Sequence, residues 1–213
     1  FMGAPQFTFG DQLPTPIANQ IKDAAAKGYR VLAIGTATKL VHPLVNPQLL
    51  GLILITDELR PTAINTFDFF KTQGVALKVI SGDDPITVAN IAKQARLEGA
   101  DQSVDMSTIA DNATAKDYQT LVKRYNVFGR VTPEQKKSLI MAYQALGHTV
   151  AMTGDGVNDV LALRQSDCSI AMASGADAAS SIADFVLLDS NFDAMTGVLN
   201  EGRRVINNIE RVA

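Results

Sequence analysis

Val150-Ala151-Met152-Thr153-Gly154-Asp155-Gly156-Val157-Asn158-Asp159 is the stretch whose reading decides the fold. A short apolar run passes into Thr-Gly-Asp-Gly, and a helix is expected to start at Val157. In a parallel sheet such a turn lies at the carboxyl end of its strand, where open α/β folds bind ligands. Gly154 and Gly156 let the backbone approach a phosphate or a metal closely. Asp155 and Asp159, with Asn158 between them, would aim two carboxylates and an amide at one point around a helix N-terminus. Hard oxygen donors of this kind suit Mg²⁺, which keeps several waters and phosphate oxygens. The plain alternative is an N-capping Asp155 followed by helix-surface acids. The consistent strand-turn-helix context on both sides weighs against it.

Outward from this point, apolar runs alternate with amphipathic stretches. Strands are expected at Val31–Ile34, Leu50–Ile55, Leu77–Ser81, Val127–Arg130, Val150–Thr153, Cys168–Ala171 and Phe185–Leu188. Helices are expected at Ile17–Lys27, Ala63–Thr72, Ile86–Ala95, Lys116–Arg124, Pro133–Leu146, Val157–Gln165 and Phe192–Arg211. Thr132-Pro133 and Asp84-Pro85 read as N-caps with proline at the first helical position. Gly28, Gly74 and Gly147 close helices. Short apolar strands alternating with helices predict a parallel sheet flanked by helices. The stretch from Thr36 to Gln48 holds Pro43 and Pro47, lacks periodicity and reads as a connector, dividing the chain into 1–48 and 49–213. The final helix gathers Val198, Val205, Ile206, Ile209 and Val212 near one face, which suits packing on the sheet or a linker to a further element.

Two more strand ends carry chemistry. Val79-Ile80-Ser81-Gly82-Asp83 ends in hydroxyl-Gly-Asp. Ser81 and the Gly82 amide can donate to a phosphoryl oxygen, and Asp83 can order the loop or bind nucleotide. A capped turn before Pro85 explains the same letters. In Arg130-Val131-Thr132-Pro133-Glu134-Gln135-Lys136, Lys136 follows the Thr132 cap by one turn and can reach back to neutralise a phosphate. A solvated lysine is the competing reading, since Lys137 follows at once. Taken together, hydroxyl, lysine and acid pair supply donors, a cation and a metal site for phosphoryl transfer.

Composition sets the limits. The 213 residues suffice for one large domain, or one domain and part of another, and 46% hydrophobic content supports a sizeable core. A net charge of −3 gives no reason to expect nucleic acid. Cys168, the single cysteine, excludes an internal disulfide and a Cys-based zinc site. Among the 22 acidic residues, Asp far outnumbers Glu, a bias toward caps, turns and metal loops. The longest apolar run, Leu49–Ile55, is far short of the roughly 20 residues of a spanning helix. Direct membrane insertion is therefore not expected, nor is a signal peptide. A start at Phe1 suggests an excised piece.

These motifs resemble the haloacid dehalogenase superfamily, and more narrowly the P-type cation-transporting ATPases. The resemblance covers nearly the whole chain. It implies a Rossmann-like parallel α/β sheet flanked by helices at 49–213, with a small N-terminal remnant of an α+β nucleotide-binding domain at 1–48. By this resemblance Asp155 is the Mg²⁺ ligand, supported by Asp159 as the second metal-site acid and by Asn158 toward the phosphate. Lys136 grips the phosphorylated aspartate. Ser81 stands where the family usually has Thr, with Gly82 and Asp83 completing that motif. Thr56-Asp57-Glu58-Leu59-Arg60-Pro61 resembles the Asp-Pro-Pro-Arg hinge, keeping Asp57 and Arg60 near the nucleotide. Arg30 in Tyr29-Arg30-Val31-Leu32-Ala33 resembles the ATP-contacting arginine. Met2-Gly3-Ala4-Pro5 resembles the Lys-Gly-Ala motif around Gly3, with Met2 in place of the lysine.

The resemblance also implies ATP and Mg²⁺ as cofactors, cation transport by way of an aspartyl phosphate, and a place on the cytoplasmic face of a bacterial plasma membrane. Calcium is the first expectation for the cation. The family's phosphorylated Asp-Lys-Thr-Gly-Thr strand does not occur in these residues. Asp57 and Asp189 follow apolar strands, but Leu59 and Asn191 stand where the superfamily's nucleophile has Asp or Thr two residues on. The expected partners are therefore ATP and the rest of a pump: a first strand, an actuator domain and membrane helices. A soluble phosphatase of the same superfamily, or a non-catalytic nucleotide- or metal-binding module, are the alternatives.

Overall fold

The computed structural model describes residues 1–39, 44–56 and 59–212. In chain order, β1 (Met2–Gly3), α1 (Pro5–Thr8), α2 (Thr15–Ala26), β2 (Arg30–Thr36) and β3 (Gln48–Ile55) make the N-terminal part. Its three strands form an antiparallel sheet in the order β1-β2-β3. Burial alternates along β2, with Val31, Ala33 and Gly35 turned inward, as a half-buried strand requires. β3 pairs with β2 from Gln48 to Ile55, so the antiparallel sheet continues past the expected division at residue 48. The connector before it lies partly at 40–43, outside the described residues.

The remainder is α/β. It contains α3 (Ala63–Thr72), β4 (Val79–Ile80), α4 (Pro85–Gln94), β5 (Ser103–Asp105), α5 (Ala115–Arg124), β6 (Val127–Gly129), α6 (Pro133–Ala145), β7 (Ala151–Gly154), α7 (Val160–Gln165), β8 (Cys168–Met172), α8 (Asp177–Ser180), β9 (Phe185–Leu187) and α9 (Ala194–Val212). All strand pairs here are parallel, as expected. They make two separate three-stranded sheets, β4-β6-β5 and β7-β8-β9. Among the described residues no ladder joins β4 to β7.

Local chemistry sets the starts of the helices. Thr132 and Gln135 form a reciprocal capping box at α6, with Pro133 at the first position. Thr114 and Asp117 do the same for α5. Asp84 caps α4 by accepting from the Ile86 amide at 3.0 Å.

Three apolar clusters form the core. Val88, Ala89 and Ala92 of α4 pack in one cluster with Val127 of β6. Met106, Val122, Phe128 and Leu139 fill the space between α5 and α6. Ile140, Met152, Leu163 and Ala171 form the third. α6 serves two of them, giving Leu139 to one and Ile140 to the other, while Ile80 of β4 packs against both.

Three expectations need correction. Val157–Gln165 is not one helix: Val157–Asp159 is a 3₁₀ turn and α7 starts at Val160, because Asp159 is turned inward. β5 was not anticipated, since three residues show no readable alternation. α9 does not bury its apolar face on the sheet, for none of its residues is buried. Its approach is anchored instead by Phe192, stacked on Phe70 of α3 with ring centroids 5.3 Å apart.

Candidate active site

The site is built on the carboxyl ends of parallel strands. β7 ends in Thr153-Gly154, and the chain turns through Asp155-Gly156 into the 3₁₀ turn that carries Asp159. Asp159 is 7% exposed and Lys136 8%. Lys136 Nζ donates to Asp159 Oδ1 at 2.6 Å. The other oxygen, Oδ2, accepts from the Gly156 amide at 3.0 Å and the Asp155 amide at 3.3 Å. One carboxylate thus orients the lysine and shapes the loop. The turn needs glycine at 154, where a Cβ would sit 2.6 Å from the Asp159 Cβ. Opposite charges this well enclosed and hydrogen-bonded hold each other in place.

The expected convergence of Asp155, Asn158 and Asp159 on one point is only partly realised. Asp159 is committed to Lys136 and the loop amides, while Asp155 and Asn158 are exposed. Among the described residues the Asp155 side chain has no hydrogen-bond partner, and no three His, Cys, Asp or Glu side chains gather into a metal site. An exposed carboxylate without a protein partner among the described residues fits Mg²⁺, which is held by one or two carboxylates plus phosphate oxygens and waters.

The Asp155 backbone is pinned from the far side. Its carbonyl accepts from the Ala176 amide at 2.7 Å. A Cβ at Gly175 would lie 2.4 Å from that same oxygen, so only glycine lets the segment after β8 press against the loop. Gly175 went unnoticed in the sequence, because its partner lies 20 residues away.

Ser81, Gly82 and Asp83 follow β4. The Ser81 hydroxyl accepts from the Asp83 amide at 3.1 Å, closing a tight turn, and Gly82 faces open space. This loop is tied to the one that starts α6. The Val131 amide donates to Ser81 O at 3.0 Å and the Arg130 amide to Asp83 O at 2.8 Å. Arg130 also pairs with Asp84 at 2.6 Å and Asp105 at 2.5 Å. Burial works to raise the Asp105 carboxyl, but the Ser107 hydroxyl and amide and the Arg130 guanidinium outweigh it and hold it below the usual range.

Arg30 of β2 reaches this loop, 3.6 Å from Asp83, in a solvent-exposed pair. Asn90 of α4 donates to the carbonyls of Ala25 and Ala26 at the end of α2. Arg60 is exposed. Gly3 lies in β1 opposite Ala33, where a Cβ would collide with Thr8 Cγ2 at 2.8 Å. Asp57 lies outside the described residues. Ser81, Asp83, Lys136, Asp155, Asp159 and Arg30 are therefore linked through bonded neighbours, and Gly3 joins them only through the β1–β2 ladder, while among the described residues no side-chain hydrogen bond or ion pair ties Arg60 to them.

A family description, haloacid dehalogenase-like hydrolase, matches residues 9–167. A probable cation-transporting ATPase of Streptococcus pneumoniae is 41% identical over all of this chain and 27% of its own length. The calcium-transporting ATPase CtpE of Mycolicibacterium smegmatis is 42% identical over 93% of this chain and 25% of its own length. The chain thus spans about a quarter of the relatives it matches. A crystal structure of a zinc-transporting PIB-type ATPase in its E2.Pi state superposes on 94% of the chain with a TM-score of 0.65 at 23% identity, a likeness of fold.

Proposed function

The chain belongs to the haloacid dehalogenase-like hydrolases, and from that premise we propose that it is part of the cytoplasmic catalytic head of a P-type cation-transporting ATPase. The observation that carries this reading is the buried Lys136–Asp159 pair joined to the Asp155 loop at a strand's carboxyl end. The chain's place as about a quarter of cation-transporting relatives supports it.

In this reading ATP phosphorylates an aspartate on a strand supplied by the rest of the protein, seated between β4 and β7, and water then releases the phosphate. Lys136 donates to a phosphoryl oxygen and stays aimed because Asp159 holds it. The Ser81 hydroxyl and the Gly82 amide donate from the opposite strand. Asp155 would hold Mg²⁺, which would offset phosphate charge. Asn158, exposed beside it, reaches the phosphate. Arg30, Asp83, Asp57, Arg60 and Gly3 belong to the nucleotide side. The change from antiparallel to parallel pairing after Ile55 supports a division into a nucleotide-binding remnant and a phosphorylation domain. The name of the CtpE relative makes calcium the first cation to test, and the proposed place is the cytoplasmic face of a bacterial plasma membrane.

The deciding experiment gives radiolabelled ATP and Mg²⁺ to the full-length protein in membranes. A phosphoenzyme that hydroxylamine cleaves, and whose level responds to Ca²⁺, is expected. Phosphate release without an acid-stable phosphoenzyme would sink the proposal.

A further inference from the structure

We infer that Arg130 is a positioning residue that fixes the Ser81-Gly82-Asp83 loop relative to Lys136 by clamping the carboxyl ends of β4, β5 and β6. The inference rests on the phosphoryl-transfer reading of the site. Its basis is a set of contacts by which one residue, in the loop after β6, joins the loops after β4 and β5. One guanidinium nitrogen, Nη2, meets Asp84 Oδ2 at 2.6 Å in the loop after β4. The other, Nη1, meets Asp105 Oδ2 at 2.5 Å at the end of β5. The backbone adds two bonds to the β4 loop, from the amides of Arg130 and Val131 to the carbonyls of Asp83 and Ser81. Two residues later Thr132 caps α6, and one turn on stands Lys136.

Both carboxylates divide their oxygens in the same way. Asp84 uses Oδ1 for the Ile86 amide and Asp105 uses Oδ1 for the Ser107 amide, each leaving Oδ2 for Arg130. Each acid therefore caps its own turn and anchors the arginine at once. Lysine, a single point charge, cannot bridge two carboxylates in this fashion. The backbone shows the same demand. Arg130 has φ +52, a left-handed conformation that glycine or asparagine adopts more readily. A long cationic side chain held there persists only when its surroundings over-determine it. Next to it, Gly129 leaves room for Pro85, whose Cα would lie 2.5 Å from an added Cβ, so the β4 and β6 loops meet without slack.

The test uses the full-length protein and the variants R130Q, R130K and D105N, the last keeping an acceptor for the Ser107 amide. Hydrogen exchange is followed in peptides covering 81–86 and 129–132, with β8 as internal reference, beside phosphoenzyme formation and inhibition by orthovanadate. R130Q is expected to speed exchange in both loop peptides but not in β8, and to weaken orthovanadate and slow phosphorylation about tenfold, the scale of a small misplacement in a positioned site. R130K and D105N should fall between R130Q and wild type. Unchanged loop exchange overturns the clamp. So does exchange that rises equally in β8, which marks a general stabiliser, and so does wild-type orthovanadate inhibition with loosened loops. If the wild-type protein neither forms a phosphoenzyme nor binds orthovanadate, the phosphoryl-transfer reading falls and takes this role with it. Failure of the clamp alone appears as normal turnover with an indifferent R130Q.

Discussion

Lys136 has exchanged nearly all of its water for one carboxylate, and that makes its removal costly. Without the ammonium, Asp159 is left as a buried charge with only two amides to face it. Breaking a buried pair from one side costs about 3–5 kcal/mol. K136M should therefore lower the chain's stability to urea by about 3 kcal/mol, and K136M/D159N should recover most of the loss. In the full-length protein K136M should also cut phosphorylation by about a hundredfold, the scale for losing one aimed donor.

Gly175 makes a different demand, for space alone. G175A pushes a methyl group into the Asp155 carbonyl, so Mg²⁺ affinity, read by titration calorimetry, should fall while the circular dichroism spectrum holds. G147A, where φ is +84 and no atom lies within 4 Å, is the control: strained backbone, unchanged Mg²⁺ binding. Asp155 and Lys136 were legible in the sequence because their motifs are contiguous. Gly175 and Arg130 were not, because what they do depends on partners 20 to 46 residues distant.

At the scale of elements, capping chemistry was the most readable signal. Thr132-Pro133 and Asp84-Pro85 start α6 and α4 as expected, since a cap is written within four residues. Short strands were the least readable, because β5 takes its direction from β6 rather than from its own pattern. The tie between β8 and β9 offers a test by pH. Asp184 accepts from the Ser169 amide and hydroxyl, both at 2.8 Å, and the Ser169 hydroxyl accepts from the Asp184 amide at 3.0 Å. The amide bond first, then the hydroxyl, hold the Asp184 carboxyl below its usual 3.8 against a weaker opposing effect of burial. A lowered folded-state value means a contribution present above about pH 4 and lost as pH falls through the folded-state value. Wild-type unfolding midpoints should therefore drop more steeply between about pH 5 and pH 3 than those of D184N, measured by thermal melts.

The described residues form an antiparallel N-terminal sheet and, after it, two parallel half-sheets flanked by helices. The parallel α/β class was legible from alternating strands and helices, and the absent Asp-Lys-Thr-Gly-Thr strand gave reason to expect an open slot in the sheet, but that its edges are β4 and β7 was not a property of any one stretch. It comes from which strand each edge finds as a neighbour. If the gap takes a parallel strand, a peptide of five to seven apolar residues ending in aspartate should raise the chain's urea midpoint when titrated in, since about one hydrogen bond per residue is gained on each edge. No shift at saturating peptide would remove the argument for a strand there.

The break also has a mechanical side. Between β4 and β7 the link is the apolar cluster to which Met152 belongs and against which Ile80 packs, a kind of contact that resists compression but has little preference in direction. Two plates joined by grease slide, and two plates joined by rivets do not. Joined by apolar packing alone, the two parallel half-sheets would be stiff to squeezing and soft to shear, with α6 serving both. A strand laddered to both edges would add the rivets, so the stiffness of the parallel part would be set by whether that one strand is in place.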